Sequence, residues 1–141
     1  AFKAVADMPA AMTAHVVFTA IDGARPASTS RTVTQDVIRG EIGFDGLLMS
    51  DDLSMKALSG TFRERAEGVL SAGSDLALHC NGVLAEMEEV ASAVPVLAGD
   101  ALRRFEAALA VFRRREPYDS GRAEEQLVVA LGTARRRTES V

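Results

Sequence analysis

Three short apolar runs divide the chain, and each leads into turn residues and then into a stretch with helical periodicity. The first is Met12-Thr-Ala-His-Val-Val-Phe18, rich in β-branched residues and followed by Asp22-Gly23 and Pro26. The second, Phe44-Asp-Gly-Leu-Leu-Met-Ser50, is cut off by Asp51-Asp52. The third is Asp75-Leu-Ala-Leu-His79. None alternates apolar with polar residues. Continuous apolar runs of this length are strands buried on both faces, as in parallel sheets covered by helices.

Helical periods fill the intervals. Thr32-x-x-Gln35 has the form of a capping box and places Val33, Val37 and Ile38 on one face, with Gly40 and Gly43 closing the segment. Thr61-x-x-Glu64 repeats the device ahead of Phe62, Ala66, Val69 and Leu70, and Gly73 is a natural stop. Asn81-Gly82 turns the chain into a helix carrying Leu84, Met87, Ala91 and Val94, ended by Pro95 and Gly99. Asp100 suits the N-cap of another, with Leu102, Phe105, Leu109 and Phe112 on its face and Arg113-Arg-Arg115 at its negative pole. Pro117 and Gly121 mark a linker, Glu124 to Leu131 a last short helix, and Arg135-Arg-Arg137 a frayed end. The order strand–helix three times over, then helices, is α/β with right-handed crossovers. In such folds chemistry gathers at the C-terminal ends of the strands.

Composition narrows the field. With 141 residues, 48% apolar and 26% charged, the chain has the material for one globular domain or part of one. No apolar run approaches the roughly 18 residues of a membrane span. A formal charge of −4 disfavours nucleic acid, whose binding rests on neutralising phosphates. Cys80 is the single cysteine, so neither an internal disulfide nor a thiolate metal cage is possible. It reads as a small buried filler, and a reducing compartment, the cytoplasm, is the expected location. The chain opens on Ala1 without a basic-then-apolar leader, which suggests a piece of a longer protein.

Asp51 and Asp52 are the most informative pair. Two carboxylates directly after a buried strand are costly unless they have partners. Three uses would repay that cost: a nucleophile or acid, a metal ligand, or a cap for the next helix. His15 and His79 sit on the first and third apolar runs, and either fits a satisfied core histidine or a ligand. A metal site would require His15, Asp51 and His79 to converge from three strands, with no short-range ligand spacing to support it. Ser50 and Ser54 lack the glycine-flanked elbow of a serine hydrolase.

Taken in order, Met12 to Phe18, Pro26-Ala-Ser-Thr-Ser30, Ile42-Gly-Phe-Asp-Gly-Leu-Leu-Met-Ser-Asp-Asp-Leu-Ser-Met55 and Ala72-Gly-Ser-Asp-Leu-Ala-Leu-His-Cys-Asn81 resemble the C-terminal part of a bacterial β-N-acetylhexosaminidase. The group is glycoside hydrolase family three, NagZ-type, which is cytoplasmic and recycles peptidoglycan. The resemblance spans about Asp7 to Phe112. It implies a (β/α)8 barrel of the TIM type, of which residues 1–116 supply about three parallel strand–helix units plus helices, with a helical or frayed tail over 117–141. It implies retaining removal of terminal N-acetylglucosamine from muropeptides without cofactor or metal. By the same resemblance Asp51 is the nucleophile, Asp52 shapes the site, and Met12 and His15 line the sugar pocket.

The family's acid/base, an Asp–His pair on a loop, and its sugar-binding Lys-His, Arg and Asp positions lie upstream and have no counterpart here. A whole barrel takes about 250 residues. The expectation is therefore a fragment that needs the missing N-terminal half of the barrel, has open sheet edges and is inactive alone. Two rivals stand beside it. One is a phospho-aspartyl domain, disfavoured because neither Lys3 nor Lys56 ends a later strand and because Asp51-Asp52 is not Asp-x-Asp. The other is a non-catalytic barrel piece that packs on a partner chain.

Overall fold

A computed structural model describes residues 1–114 and 119–138, with side chains up to residue 132. Three parallel strands form one sheet in the order β1 (Ala10–Met12), β2 (Leu47–Asp52), β3 (Leu76–Leu78). The class is α/β, as the continuous apolar runs required. The first strand is not Met12–Phe18: only Met12 of that run belongs to β1, where it pairs with Met49. Val16, Val17 and Phe18 are exposed beyond it, because the chain turns away to Pro26 after Thr13 and His15 are buried. The second strand begins later than expected and includes Asp51 and Asp52 instead of stopping before them.

A helix wound partly in the wide i→i+5 manner joins β1 to β2 over Thr32–Glu41, with the Ile42 N–H donating to the Val37 carbonyl at 2.8 Å. Thr32 does not cap it. The Ser30 hydroxyl accepts from the Val33 N–H instead, at 3.2 Å. Helix α1 (Phe62–Ala72) joins β2 to β3 and has the expected start: Thr61 Oγ1 accepts from the Glu64 N–H at 3.2 Å, and Glu64 Oε2 accepts from the Thr61 N–H at 2.8 Å. It ends on Gly73 at φ 116°, a left-handed conformation that also leaves no room for a β-carbon beside Gln35.

Helices α2 (Leu84–Ala91), α3 (Gly99–Arg113) and α4 (Ser120–Thr138) follow. Asp100 lies within the first turn of α3 and is not its cap; that position belongs to Ala98. Helix α4 is longer than the sequence suggested and takes in Gly121 and Arg135 to Arg137, while Pro117 lies outside the described residues. No described helix is long and apolar enough to cross a membrane.

The core lies between the sheet and α1 and α2. Leu53, Leu58, Ala66, Val69 and Val90 are buried there, with Phe62, Leu70, Ala77 and Ala93 packed against them. At the N-terminal ends of β2 and β3 a charged staple ties the layers together. Asp75 accepts from the Leu48 N–H at 2.8 Å, from Arg39 at 2.8 Å and from Arg104 of α3 at 3.0 Å. Arg39 also donates to the carbonyls of Phe44 and Gly46 at 2.9 and 2.7 Å. Gly46 admits no side chain, since a β-carbon would fall 2.5 Å from the Met8 carbonyl oxygen and 2.7 Å from the Phe44 ring. The Gly43-Phe-Asp-Gly46 motif is thus a tight entry into β2 whose aspartate, Asp45, pairs with Arg103 and Arg104 at 2.9 and 2.8 Å.

Candidate active site

The site is built on a register slip. Met49 pairs with Leu76 and Asp52 with Leu78, so β2 advances three residues while β3 advances two. The extra residue makes a bulge at Ser50-Asp51, and bulges re-aim side chains at the ends of strands. Ser50, fully buried, repairs the interrupted ladder. Its Oγ accepts from the Leu78 N–H at 3.0 Å and donates to the Asp51 carbonyl at 2.8 Å. The ladder resumes where the Leu53 N–H donates to the Leu78 carbonyl at 2.8 Å.

The two adjacent carboxylates receive different tasks from this geometry. Asp52 turns into the following loop. Its Oδ1 accepts from the Ser54 N–H at 3.0 Å and the Cys80 N–H at 3.1 Å, and its Oδ2 accepts from the Ser54 hydroxyl. Partial burial raises the cost of its charge. The Ser54 and Cys80 hydrogen bonds and the field of nearby His79 outweigh that cost and hold its carboxyl below the usual carboxylate value. Asp52 does not cap the next helix, whose cap is Thr61; it pins the loop after β2 through Ser54 and Cys80.

Asp51 is half-buried and far less engaged. Its Oδ1 accepts from the Asp52 N–H at 2.8 Å. Among the described residues nothing donates to Oδ2. One oxygen is thus fixed by the backbone and the other left open at the C-terminal end of a central strand.

His15, three residues beyond β1, braces the same loop. It is buried, with Nε2 3.0 Å from the Asp52 carbonyl oxygen and Nδ1 2.6 Å from Ser28 Oγ. A carbonyl can only accept, so the proton of a neutral ring sits on Nε2, and Nδ1 accepts from the Ser28 hydroxyl. Met12, half-exposed at the end of β1, stands beside Met49 of β2. His79 takes a different place. Its side chain is 6% exposed, lies edge-on to Phe62 with centroids 5.1 Å apart, and approaches Glu86 at 3.4 Å. Neither of its nitrogens makes a hydrogen bond among the described residues. His15, Asp51 and His79 do not assemble a metal-ligand group, nor do any three His, Cys, Asp or Glu among the described residues. Cys80 is exposed, not a buried filler, because the chain has already left the sheet for the Asn81-Gly82 turn.

Ser50, Ser28 and Ser54 went unnoticed in the sequence as site-building residues. Ser50 carried a legible signal, a hydroxyl at the end of a continuous apolar run, where a buried polar atom has to replace a backbone partner. Ser28 and Ser54 carried none, since their partners are distant or depend on the turn.

Comparison with known proteins places the chain in a family. The profile of the "Glycosyl hydrolase family 3 N terminal domain" matches residues 2–109. A β-hexosaminidase of Tolumonas auensis is 46% identical over 76 residues, covering 52% of this chain and 22% of that protein. One of Actinobacillus succinogenes is 49% identical over 74 residues, covering 51% and 21%. The chain therefore spans about a fifth of the length of these relatives. In three dimensions the β-N-acetylhexosaminidase of Beutenbergia cavernae superposes with a TM-score of 0.59 at 31% identity, over 78% of this chain and 36% of that one. The β-N-acetylglucosaminidase of Thermotoga maritima gives 0.58 at 31% identity, over 72% and 25%. The profile match spans both sheet edges and the Ser50-Asp51 bulge alike: the chain belongs to glycosyl hydrolase family 3.

Proposed function

We propose that this chain is the nucleophile-bearing sector of a retaining β-N-acetylhexosaminidase that releases terminal N-acetylglucosamine from peptidoglycan fragments in the cytoplasm. The observation that carries the proposal is the division of labour at the bulge: Asp52 is spent on the loop, and Asp51 keeps an open oxygen at the strand end. In a retaining mechanism a carboxylate attacks the anomeric carbon to form a glycosyl-enzyme ester while a second group about 5 Å away protonates the departing oxygen. That group then takes a proton from water, which releases the sugar and restores the carboxylate. Asp51 suits the first task because its backbone bond fixes its aim without covering both oxygens. Met12 borders the sugar pocket. His15 acts through the Asp52 carbonyl as a positioning residue.

Asp52 does not suit the second task, since both its oxygens accept bonds that only its charged form makes well. The acid/base therefore comes from the N-terminal half of a (β/α)8 barrel, of which this sheet is a sector. The exposed Met8, Met12, Val16, Val17, Phe18 and Ile21 beside β1 fit that reading, as a surface awaiting neighbouring strands. A chimera tests it, in which this chain replaces the matching segment of the Tolumonas auensis β-hexosaminidase. It should cleave an aryl N-acetyl-β-glucosaminide, and Asp51→Asn should lower kcat by about 10³-fold or more. An Asp51→Asn chimera that retains activity would refute the assignment.

A further inference from the structure

A second concave surface has neither Asp51 nor Asp52 in its lining. A cleft of about 730 Å³ runs between the loop after β1, the loop after β2 and the face of α1. Its volume is that of a small-molecule site. Four cationic side chains, Arg25, Arg31, Lys56 and Arg65, line it against a single carboxylate, Glu64. The chain as a whole carries −4, so the cleft inverts the sign of the molecule locally.

These cations are not neutralised by protein. Among the described residues none of the four forms an ion pair. Arg65 is anchored by uncharged acceptors, the carbonyls of Leu53 at 2.7 Å and Gly60 at 3.1 Å, and lies over the Phe62 ring, so its charge is positioned but uncompensated. Glu64 is committed to the capping box with Thr61. Asp22, whose field reaches Arg25, is itself held by the Ser30 hydroxyl at 2.7 Å and the Ala24 N–H at 3.0 Å. Gly68 and Ala72 of α1, both small, are among the residues that line it.

We propose that this cleft binds a small oligoanion, a ligand bearing several carboxylate or phosphate groups. Guanidinium forks match both kinds of oxyanion in bidentate fashion, and the ammonium of Lys56 adds a movable charge. The cavity exceeds what one inorganic phosphate fills, which is why the ligand carries more than one anionic group. Since Lys56 lies four residues beyond Asp52, an occupant touches the loop that leaves the candidate active site.

The proposal does not depend on the role of Asp51. Titration of the folded chain with citrate and, separately, with tripolyphosphate, followed by calorimetry, tests it. At least one should bind saturably, weaken as salt is raised, and lose about tenfold or more in affinity in Arg31→Ala/Lys56→Ala. Asp51→Asn should bind as the parent does. Binding of citrate alone identifies a polycarboxylate, of tripolyphosphate alone a polyphosphate, and of both a site that reads charge. Repeating the titration on the chimera keeps the test valid should the double variant or the isolated chain fail to fold. Absence of saturable binding to either folded form, or affinity unchanged in the double variant, overturns the proposal.

Discussion

At the scale of single residues, a serine hydroxyl stands in for a backbone group at the bulge. Removing the Ser50 hydroxyl strands the half-buried Leu78 N–H and frees the Asp51 carbonyl. An unsatisfied buried donor costs about 1–3 kcal/mol. Ser50→Ala should therefore lower the urea midpoint of the chimera by an amount in that range, and its kcat should fall as well because Asp51 loses its aim. A stability loss with unchanged kcat would show that the bulge carries structure alone. Asp52 gives a pH test. Its carboxyl is held below the ordinary 3.8, so its bonds stabilise the fold above that pH and the contribution disappears as pH falls through the lower folded value. Asp52→Asn should flatten the acid limb of stability below about pH 4, measured by thermal melts at stepped pH. An acid limb as steep as the parent's would remove Asp52 from the account.

At the scale of elements, the periodic patterns that foretold the fold were those whose partners lie close in sequence. Helix α1 could be read from Thr61, Glu64 and Gly73 because capping box and left-handed stop are local devices. The apolar run of β2 was legible for its burial on both faces. The start of β1 was not, because Ala10-Ala11-Met12 has no β-branched residue and becomes a strand only by pairing with Leu47 to Met49. The bulge could not be read, since register belongs to two strands. For the same reason spacing alone could single out Asp51 and Asp52 but not separate their tasks, which only the family resemblance assigned: the geometry behind that distinction needs Cys80 and Leu78, brought in with β3.

The Asp75 staple was equally hidden, its partners Arg39 and Arg104 lying 36 and 29 residues away. Asp75 side-chain exposure is 5%, so Asp75→Ala leaves two guanidinium groups facing each other in a nearly closed site. Breaking such a pair costs about 3–5 kcal/mol, and the denaturant midpoint should fall accordingly. A shift below about 1 kcal/mol would mean that solvent reaches the staple.

At the scale of the molecule, a three-stranded parallel sheet exposes unpaired groups at its edges. Parallel sheets are ordinarily covered and continued. On the proposed reading, the exposed apolar side chains beside β1 are where neighbouring strands would pack. Family membership follows from the profile match; sugar, aglycone and compartment are the proposal. The most direct measurement is turnover of an aryl N-acetyl-β-glucosaminide by three proteins side by side: the chain alone, the chimera, and the Asp51→Asn chimera. Activity in the chimera only is the predicted result. Turnover by the isolated chain, or undiminished turnover by the Asp51→Asn chimera, would contradict the claim that Asp51 is a nucleophile awaiting an acid from the rest of the barrel.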